Sequence, residues 1–450
     1  MKPTKADHLS LKYKLLYSSA SIGLNILAIT ISTWLLYFYS PPTDSGRSIY
    51  LPIGVVGAIM TVISLYDALI DPFIGHWSDN LRSKMGRRKP FILFSLPFIA
   101  VSMVLIWLPP SGSTWLVAGY LLLVMLAYST AYSLTGIPYD ATMAELAENN
   151  AERISLSSWK SVFGIIGVMV GSLLIAPLFE SQGAFFMGAI TAVIGFVTIL
   201  LSVPAIRETR KPVGEKIGVI EGLKHTLKNK PFQAMLISTL LVHIAYAMIT
   251  ANLPYFVTLV VGGTEGDVGI YLGVVVILMV LTTPLWNWLG KKYSNAKVMR
   301  WSLVLLALFA LTNLLVGQVD LVPTQILAYI TLGLIGPFLG GYLILAYSMM
   351  GNVVDYDEYL TKRRREAIFY GAFSLAVGIG PSIASILLPF LLDTFGYTVA
   401  NPLGVRLAFP VISLVVLLGL FAFRGYNLGD SIEETKQNLG LVDKEVENDR

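Results

Sequence analysis

Asp67 and Asp71 stand four residues apart in an apolar stretch that runs from about Tyr50 to Trp77. Positions i and i+4 share one face of a helix, so a helical stretch points both carboxylates the same way. The stretch is long enough to cross a bilayer. An acid inside such a span is costly and is by default a functional group. Pro72 follows directly and has no N–H to donate, which frees the Ala68 carbonyl one turn back. Two carboxylates and a freed carbonyl are hard oxygen ligands, suited to Na+ or Li+, or to a shared proton. At about 1.5 Å per residue, Asp67 lies roughly 15 Å from the inner end of its span, near the midplane, with Asp71 one turn closer to that end.

Other polar groups interrupt apolar segments at depths where a cargo site is expected. Ser133 lies seven residues before Asp140 on the same helical face and offers a hydroxyl to the Asp67/Asp71 site. Asp140 and Lys160 match in depth; they read either as an ion pair or as substrate or proton contacts. Asn25 and His243 occupy corresponding midplane positions in the two halves of the chain. Tyr128, Tyr132 and Tyr342, with Tyr246, Asn252 and Tyr347, add aromatic faces and neutral hydrogen-bonding groups. That mixture suits a polyol, although an isolated Asn or Tyr also serves as an interhelical hydrogen bond.

Enzyme chemistry has no comparable support. There are no cysteines, so thiolate nucleophiles and Cys-ligated metals are excluded. The four histidines are scattered at 8, 76, 225 and 243. No GxxxxGK[ST] loop, HExxH pair or Ser-His-Asp arrangement occurs, so no cofactor is expected and the energy source is an ion gradient.

The elements that position these residues follow from composition and punctuation. Of 450 residues, 55% are hydrophobic and 13% charged, about half the charge of an ordinary soluble domain. Hydropathy marks twelve spans near 15–39, 50–77, 90–109, 115–145, 153–178, 184–206, 232–259, 268–290, 298–317, 324–350, 367–393 and 404–424. With a cytoplasmic N-terminus, thirty of the 32 Lys and Arg fall in inside segments; only Arg47 and Arg406 fall outside. The net charge of +4 is therefore a topology signal and not a nucleic-acid footprint. The expected fold is an all-α membrane protein with twelve transmembrane helices in two six-helix pseudo-symmetric halves. Residues 1–206 form the N-terminal half, 207–231 a charged cytoplasmic linker, 232–424 the C-terminal half and 425–450 a cytoplasmic tail. This layout is that of a major facilitator transporter, whose substrate site lies at the midplane. Glycines in spans 5, 10 and 11 read as close helix packing or as gating bends. Glu180 and Asp320 sit at outer ends and are expected to be solvated.

Several motifs carry a closer resemblance. Gly75-x-x-x-Asp79 followed by Gly86-Arg87-Arg88-Lys89 resembles the major facilitator loop signature, with extra residues before Gly86. That longer form, with DALIDP upstream, resembles the glycoside–pentoside–hexuronide:cation symporter family, which includes the melibiose carrier. IPYDATMAELAENNAERISLSSWKS (137–161), VVDYDEY (353–359) and KYKLLYSSASIGLN (12–25) agree with the family's patterns. The likeness spans nearly the whole chain. It implies that Asp67 and Asp71 bind the coupling cation, with Ser133 at the position of a Thr ligand. Asp79, Arg87, Arg88 and Asp355 then belong to the cytoplasmic gate. In the melibiose branch an Asn between the two acids helps ligate the ion; here that position is Ile70, a loss that favours H+ over Na+. The sugar contacts depart further. The family's span 1 Asp aligns with Asn25, its span 4 Asp with Gly136, the following Trp with Asp140, its span 5 Arg with the Lys160–Ser161 region and its span 11 Lys with Gly378.

The function expected is a cation-coupled (H+ or Na+) symporter importing a sugar or glycoside by alternating access. A carrier of a lipid, another amphiphile or another small organic solute is the alternative. Asn25, Tyr128, Tyr132, Asp140, Lys160, His243 and Tyr342 are the substrate candidates. A monomer in the cell membrane, with both termini cytoplasmic and no nucleic-acid partner, completes the expectation.

Overall fold

A computed structural model describes residues 9–81, 83–146, 150–206, 226–319, 322–361 and 366–439. Most of the linker, residues 207–225, lies outside the described residues, as do Asp320 and the basic run 362–365. Among the described residues all regular structure is helical. The helices are α1 Leu11–Tyr39, α2 Ile53–Asn80, α3 Lys89–Leu105, α4 Thr114–Leu146, α5 Asn150–Gln182, α6 Ala184–Ser202, α7 Lys230–Phe256 and α8 Asp267–Leu281. They continue as α9 Thr283–Tyr293, α10 Asn295–Thr312, α11 Thr324–Gly333, α12 Ile335–Thr361, α13 Glu366–Phe395, α14 Leu403–Phe423 and the short α15 Ile432–Asn438.

These make twelve membrane spans. Ten helical runs are long and apolar enough to cross a bilayer, the bent pair α8–α9 is an eleventh, and the shorter apolar α3 completes the set. Two spans are interrupted. α8 and α9 meet at an angle of 40°. Pro284, at the start of α9, removes a hydrogen bond and crowds the carbonyl one turn back. The tenth span breaks at Leu334 between α11 and α12, where the ring of Pro337 opposes the Gly333 carbonyl in the same way. Pro72, by contrast, is accommodated inside an unbroken α2.

Packing divides the chain into two units. The first takes Met1–Gly214 with Leu253–Thr258 and Gly263–Gly273; the second takes Glu215–Asn252, Leu259–Gly262 and Val274–Arg450. In the first unit α1 is the most enclosed helix, and glycines let its neighbours reach its backbone. A Cβ on Gly167 of α5 would stand 2.6 Å from the Ile22 carbonyl oxygen, and one on Gly171 2.4 Å from Ile29. Small residues at such crossings are how membrane helices gain contact without a hydrophobic driving force. α2 is the opposite case. Leu65, Leu69, Phe73 and Trp77 form an exposed stripe opposite the two acids, a face suited to lipid hydrocarbon.

The second unit uses the same device. A Cβ on Gly336 would stand 2.1 Å from the Val275 carbonyl oxygen, and one on Gly380 of α13 would meet His243 of α7 at 2.8 Å. Trp286 donates to the Pro337 carbonyl at 2.7 Å, and Asn252 donates to the Val405 carbonyl at 3.1 Å. Arg406, one of the two basic residues placed outside by the sequence, donates to the Val316 carbonyl at 2.7 Å and so caps the turn that ends α10.

Candidate cation and substrate site

The site is built on α2 and α4 of the first unit. The Ser133 hydroxyl donates to Asp71 Oδ1 at 2.7 Å. One turn earlier on both helices, the Ser129 hydroxyl donates to Asp67 Oδ1. One residue before Asp67, the hydroxyls of Tyr66 and Thr130 meet at 2.8 Å, and Thr130 also donates to the Leu126 carbonyl. Two carboxylates and two hydroxyls therefore form a ladder with the four-residue step of the helix itself. Both acids are half-buried. Their hydroxyl partners give the charged form hydrogen bonds in place of water, which lowers the penalty of holding an anion in a span.

Ser129 was not singled out from the sequence. Its signal was present: Ser129 precedes Ser133 by the same four residues that separate Asp67 from Asp71. α2 and α4, the second and fourth of consecutive antiparallel spans, run in the same direction, so equal steps stay in register.

The other candidates scatter in their roles. Tyr132 donates to the Leu24 carbonyl at 3.2 Å, and its ring lies 5.9 Å from that of Tyr128. The buried Tyr128 hydroxyl meets no hydrogen-bond partner among the described residues. Asn25 turns its amide back to the Ser21 carbonyl at 2.8 Å; its carboxamide lies against Gly164 of α5 and its Cβ against Gly167. That placement makes Asn25 part of the α1–α5 packing.

Lys160 and Asp140 pair at 2.6 Å, with side-chain exposures of 26% and 61%, and the ammonium also lies 5.4 Å from the Tyr139 ring centroid. An exposed pair of this kind is a modest structural tie. Arg88 is buried and donates to Asp79 at 2.8 Å, which ties the end of α2 to the start of α3; Arg87 follows Gly86 in the same loop. In the second unit, His243 shares its Nδ1 with the Thr239 carbonyl at 2.9 Å, and its ring is 6.1 Å from the buried Tyr342 ring. Asp355 lies exposed on the last turns of α12.

With this geometry in hand, comparison with known proteins is decisive. The family profile described as MFS/sugar transport protein matches residues 16–430. The chain belongs to this family. Members of the MFS/sugar transport family are transporters and not enzymes, and the motifs above place the chain with its glycoside–pentoside–hexuronide type symporters. It is similar to the isoprimeverose transporter of Lactiplantibacillus pentosus, 26% identical over 86% of this chain and 80% of the relative. It is also similar to the sodium-dependent lysophosphatidylcholine symporter 1 of Xenopus tropicalis, 22% identical over 83% of this chain and 80% of the relative. A crystal structure of a nucleoside transporter shares the fold, with a TM-score of 0.69 and 15% identity over 92% of this chain and 99% of that one. The protein is thus a multi-pass membrane symporter of the major facilitator fold, moving a small molecule together with a coupling ion.

Proposed function

We propose that this symporter imports a sugar or glycoside together with Na+, by alternating access between a six-helix half at 1–206 and another at 232–424. Both termini face the cytoplasm in this reading. The observation that carries it is the ladder Asp67–Ser129 and Asp71–Ser133. Ile70 removes a neutral oxygen from α2, and that loss taken alone favours H+. The Ser129 hydroxyl brings a neutral oxygen to the same carboxylate from α4, which supports a monovalent metal cation. A serine hydroxyl has one proton and two lone pairs. It donates to the carboxylate while the cation is away, and rotation turns a lone pair to the cation when it arrives. Neutralising the acids then favours the state that binds cargo, and cargo raises cation affinity by the same factor. Tyr128, Tyr132, Asp140 and Lys160 in the first unit, with His243 and Tyr342 in the second, are the groups that meet cargo.

The test uses purified protein and proteoliposomes. Na+ and Li+ are expected to raise the melting temperature where K+ does not, and Asp67→Asn or Asp71→Asn to abolish that rise. Gradient-driven accumulation that survives in both variants would overturn the coupling role.

A second reading is a lysolipid or other amphiphile as cargo. The exposed apolar face of α2, directly behind the acids, favours it. Stabilisation by lysolipids and by no sugar would select that reading and leave the cation site in place.

A further inference from the structure

Arg47 is the outer basic residue that neither topology nor the cation site absorbs. Its guanidinium reaches the Glu265 carboxylate through two N–H groups, and lies 4.5 Å from the Phe179 ring centroid. The two ends of this pair are 218 residues apart in the chain. The Glu265 side chain is 11% exposed and that of Arg47 34%, so the pair is largely withdrawn from water. A forked, partly buried Arg–carboxylate contact of this kind is stronger and more directional than a surface pair.

A second carboxylate holds the same turn. Glu180, expected from the sequence to be solvated at the end of its span, is exposed but engaged: it accepts from the Gly266 N–H at 2.7 Å and the Thr264 hydroxyl at 3.0 Å. Beneath these charges the backbones are close. A Cβ on Gly269 would stand 2.3 Å from the Ser172 carbonyl oxygen, and one on Gly273 2.7 Å from Leu173. The Tyr255 hydroxyl donates to the Ser40 carbonyl at 2.8 Å, and its ring lies 5.0 Å from that of Tyr37. All these residues belong to the first unit. They nevertheless join α1, α5 and the α1–α2 loop to the end of α7 and the start of α8, two spans of the C-terminal six.

Alternating access requires the two sets of six spans to rock against each other. Contacts that bind α7 and α8 to α1 and α5 at one end must be undone once per cycle. We infer that Arg47 and Glu265, with Glu180 on the adjoining turn, form a charge latch that holds the outer end closed. Its opening admits cargo. The inference rests on alternating access and on the outside placement of residue 47; it is independent of which cargo or ion is carried.

The absence of cysteine makes the test direct. Ser40→Cys places a single thiol at a fully buried position under Tyr255. In the full-length protein in membranes, a membrane-impermeant maleimide added outside should label this thiol slowly. Arg47→Gln and Glu265→Gln should each raise the labelling rate about fivefold or more. Exchanging the charges, Arg47→Glu with Glu265→Arg, should bring the rate back toward the parent value. Melting temperatures of the same variants separate opening from unfolding. The latch is overturned if the single variants label at the parent rate, if the charge exchange labels as fast as they do, or if rates rise only as melting temperatures fall. Labelling from the cytoplasmic side alone would overturn the proposed orientation, and the outer latch with it.

Discussion

The two units handle polar groups inside the membrane in opposite ways. In the first, α2 carries two acids at mid-span, each held by a serine hydroxyl of α4. In the second, no Asp, Glu, Lys or Arg occurs between Pro231 and Asn252, between Ile335 and Val354, or between Ala367 and Leu392. His243, Thr239 and Tyr342 are among the neutral polar residues there, and the His243 Nδ1 is directed to a carbonyl of its own helix. A formal charge is expensive in a span and is kept where it is paired or where an ion or substrate must be met. Neutral groups cost less and are free to recognise hydroxyls. The contrast supports the proposal that ion binding belongs to the first unit and a share of cargo recognition to the second.

The largest expected effect tests that division. Asp71→Asn should weaken Na+ binding by about 100-fold, the upper range for losing a metal-site partner. His243→Ala should leave Na+ affinity within about twofold while lowering cargo affinity, because its ring bonds to a carbonyl of its own helix and to neither acid. Calorimetric titration of Na+ into both purified variants reads the difference. Equal losses in the two would break the division of labour.

The next effect sharpens the first unit. Ser129→Ala and Ser133→Ala should each weaken Na+ binding by about tenfold, as expected for loss of one neutral oxygen beside a retained carboxylate. Placing Asn at residue 70 in the Ser129→Ala background should recover much of that loss, because it returns a neutral oxygen to the same carboxylates from α2. A Ser129→Ala variant with unchanged Na+ affinity would remove that hydroxyl from the ligand set.

How far such a site can be read from sequence depends on which physical constraint writes it. Asp67 and Asp71 stand out because a bilayer makes any acid conspicuous, and the twelve spans stand out because the hydrocarbon must be crossed each time. Ser129 was easy to pass over for the converse reason. A serine is unremarkable in a helix, where its hydroxyl satisfies itself on a carbonyl one turn back, as Thr130 does on Leu126. Only the pairing of α2 with α4 distinguishes Ser129 from its neighbours. Asn25 shows the same gap from the other side. Its depth is that of a ligand, but the glycines of α5 come so close that its carboxamide becomes part of a helix crossing. Arg47 was legible as an exception to the charge rule, and its partner was not, since 218 residues separate the two.

In packing the two units are alike, and stability should show it. Gly167→Ala in the first unit and Gly380→Ala in the second each press a methyl against backbone or Cβ atoms closer than 3 Å. Each should destabilise by about 1–3 kcal/mol, the usual range for overpacking a close crossing. Gly136→Ala, with nothing within 4 Å of the added carbon, should be neutral or slightly stabilising on α4. Thermal denaturation in one detergent compares the three. A large penalty at one close crossing and none at the other would mean that the units differ in rigidity as well as in charge.

The smallest expected effect concerns Asp140 and Lys160, an ion pair that joins α4 to α5. At 61% exposure for the carboxylate, solvent screens the pair, and Asp140→Asn or Lys160→Gln should change stability by less than about 1 kcal/mol. Na+ affinity should also hold, since neither group hydrogen-bonds to the Asp67–Ser129 or Asp71–Ser133 pairs. A merely structural pair would show nothing more. A pair that meets cargo would lower cargo affinity in both single variants, and the double variant would lose little beyond either one because the two act as a unit. Ligand-stabilisation curves for the two single variants and the double variant decide between these outcomes. Additive losses would place Asp140 and Lys160 at separate contacts, and the first unit would then share in cargo recognition through two independent charges.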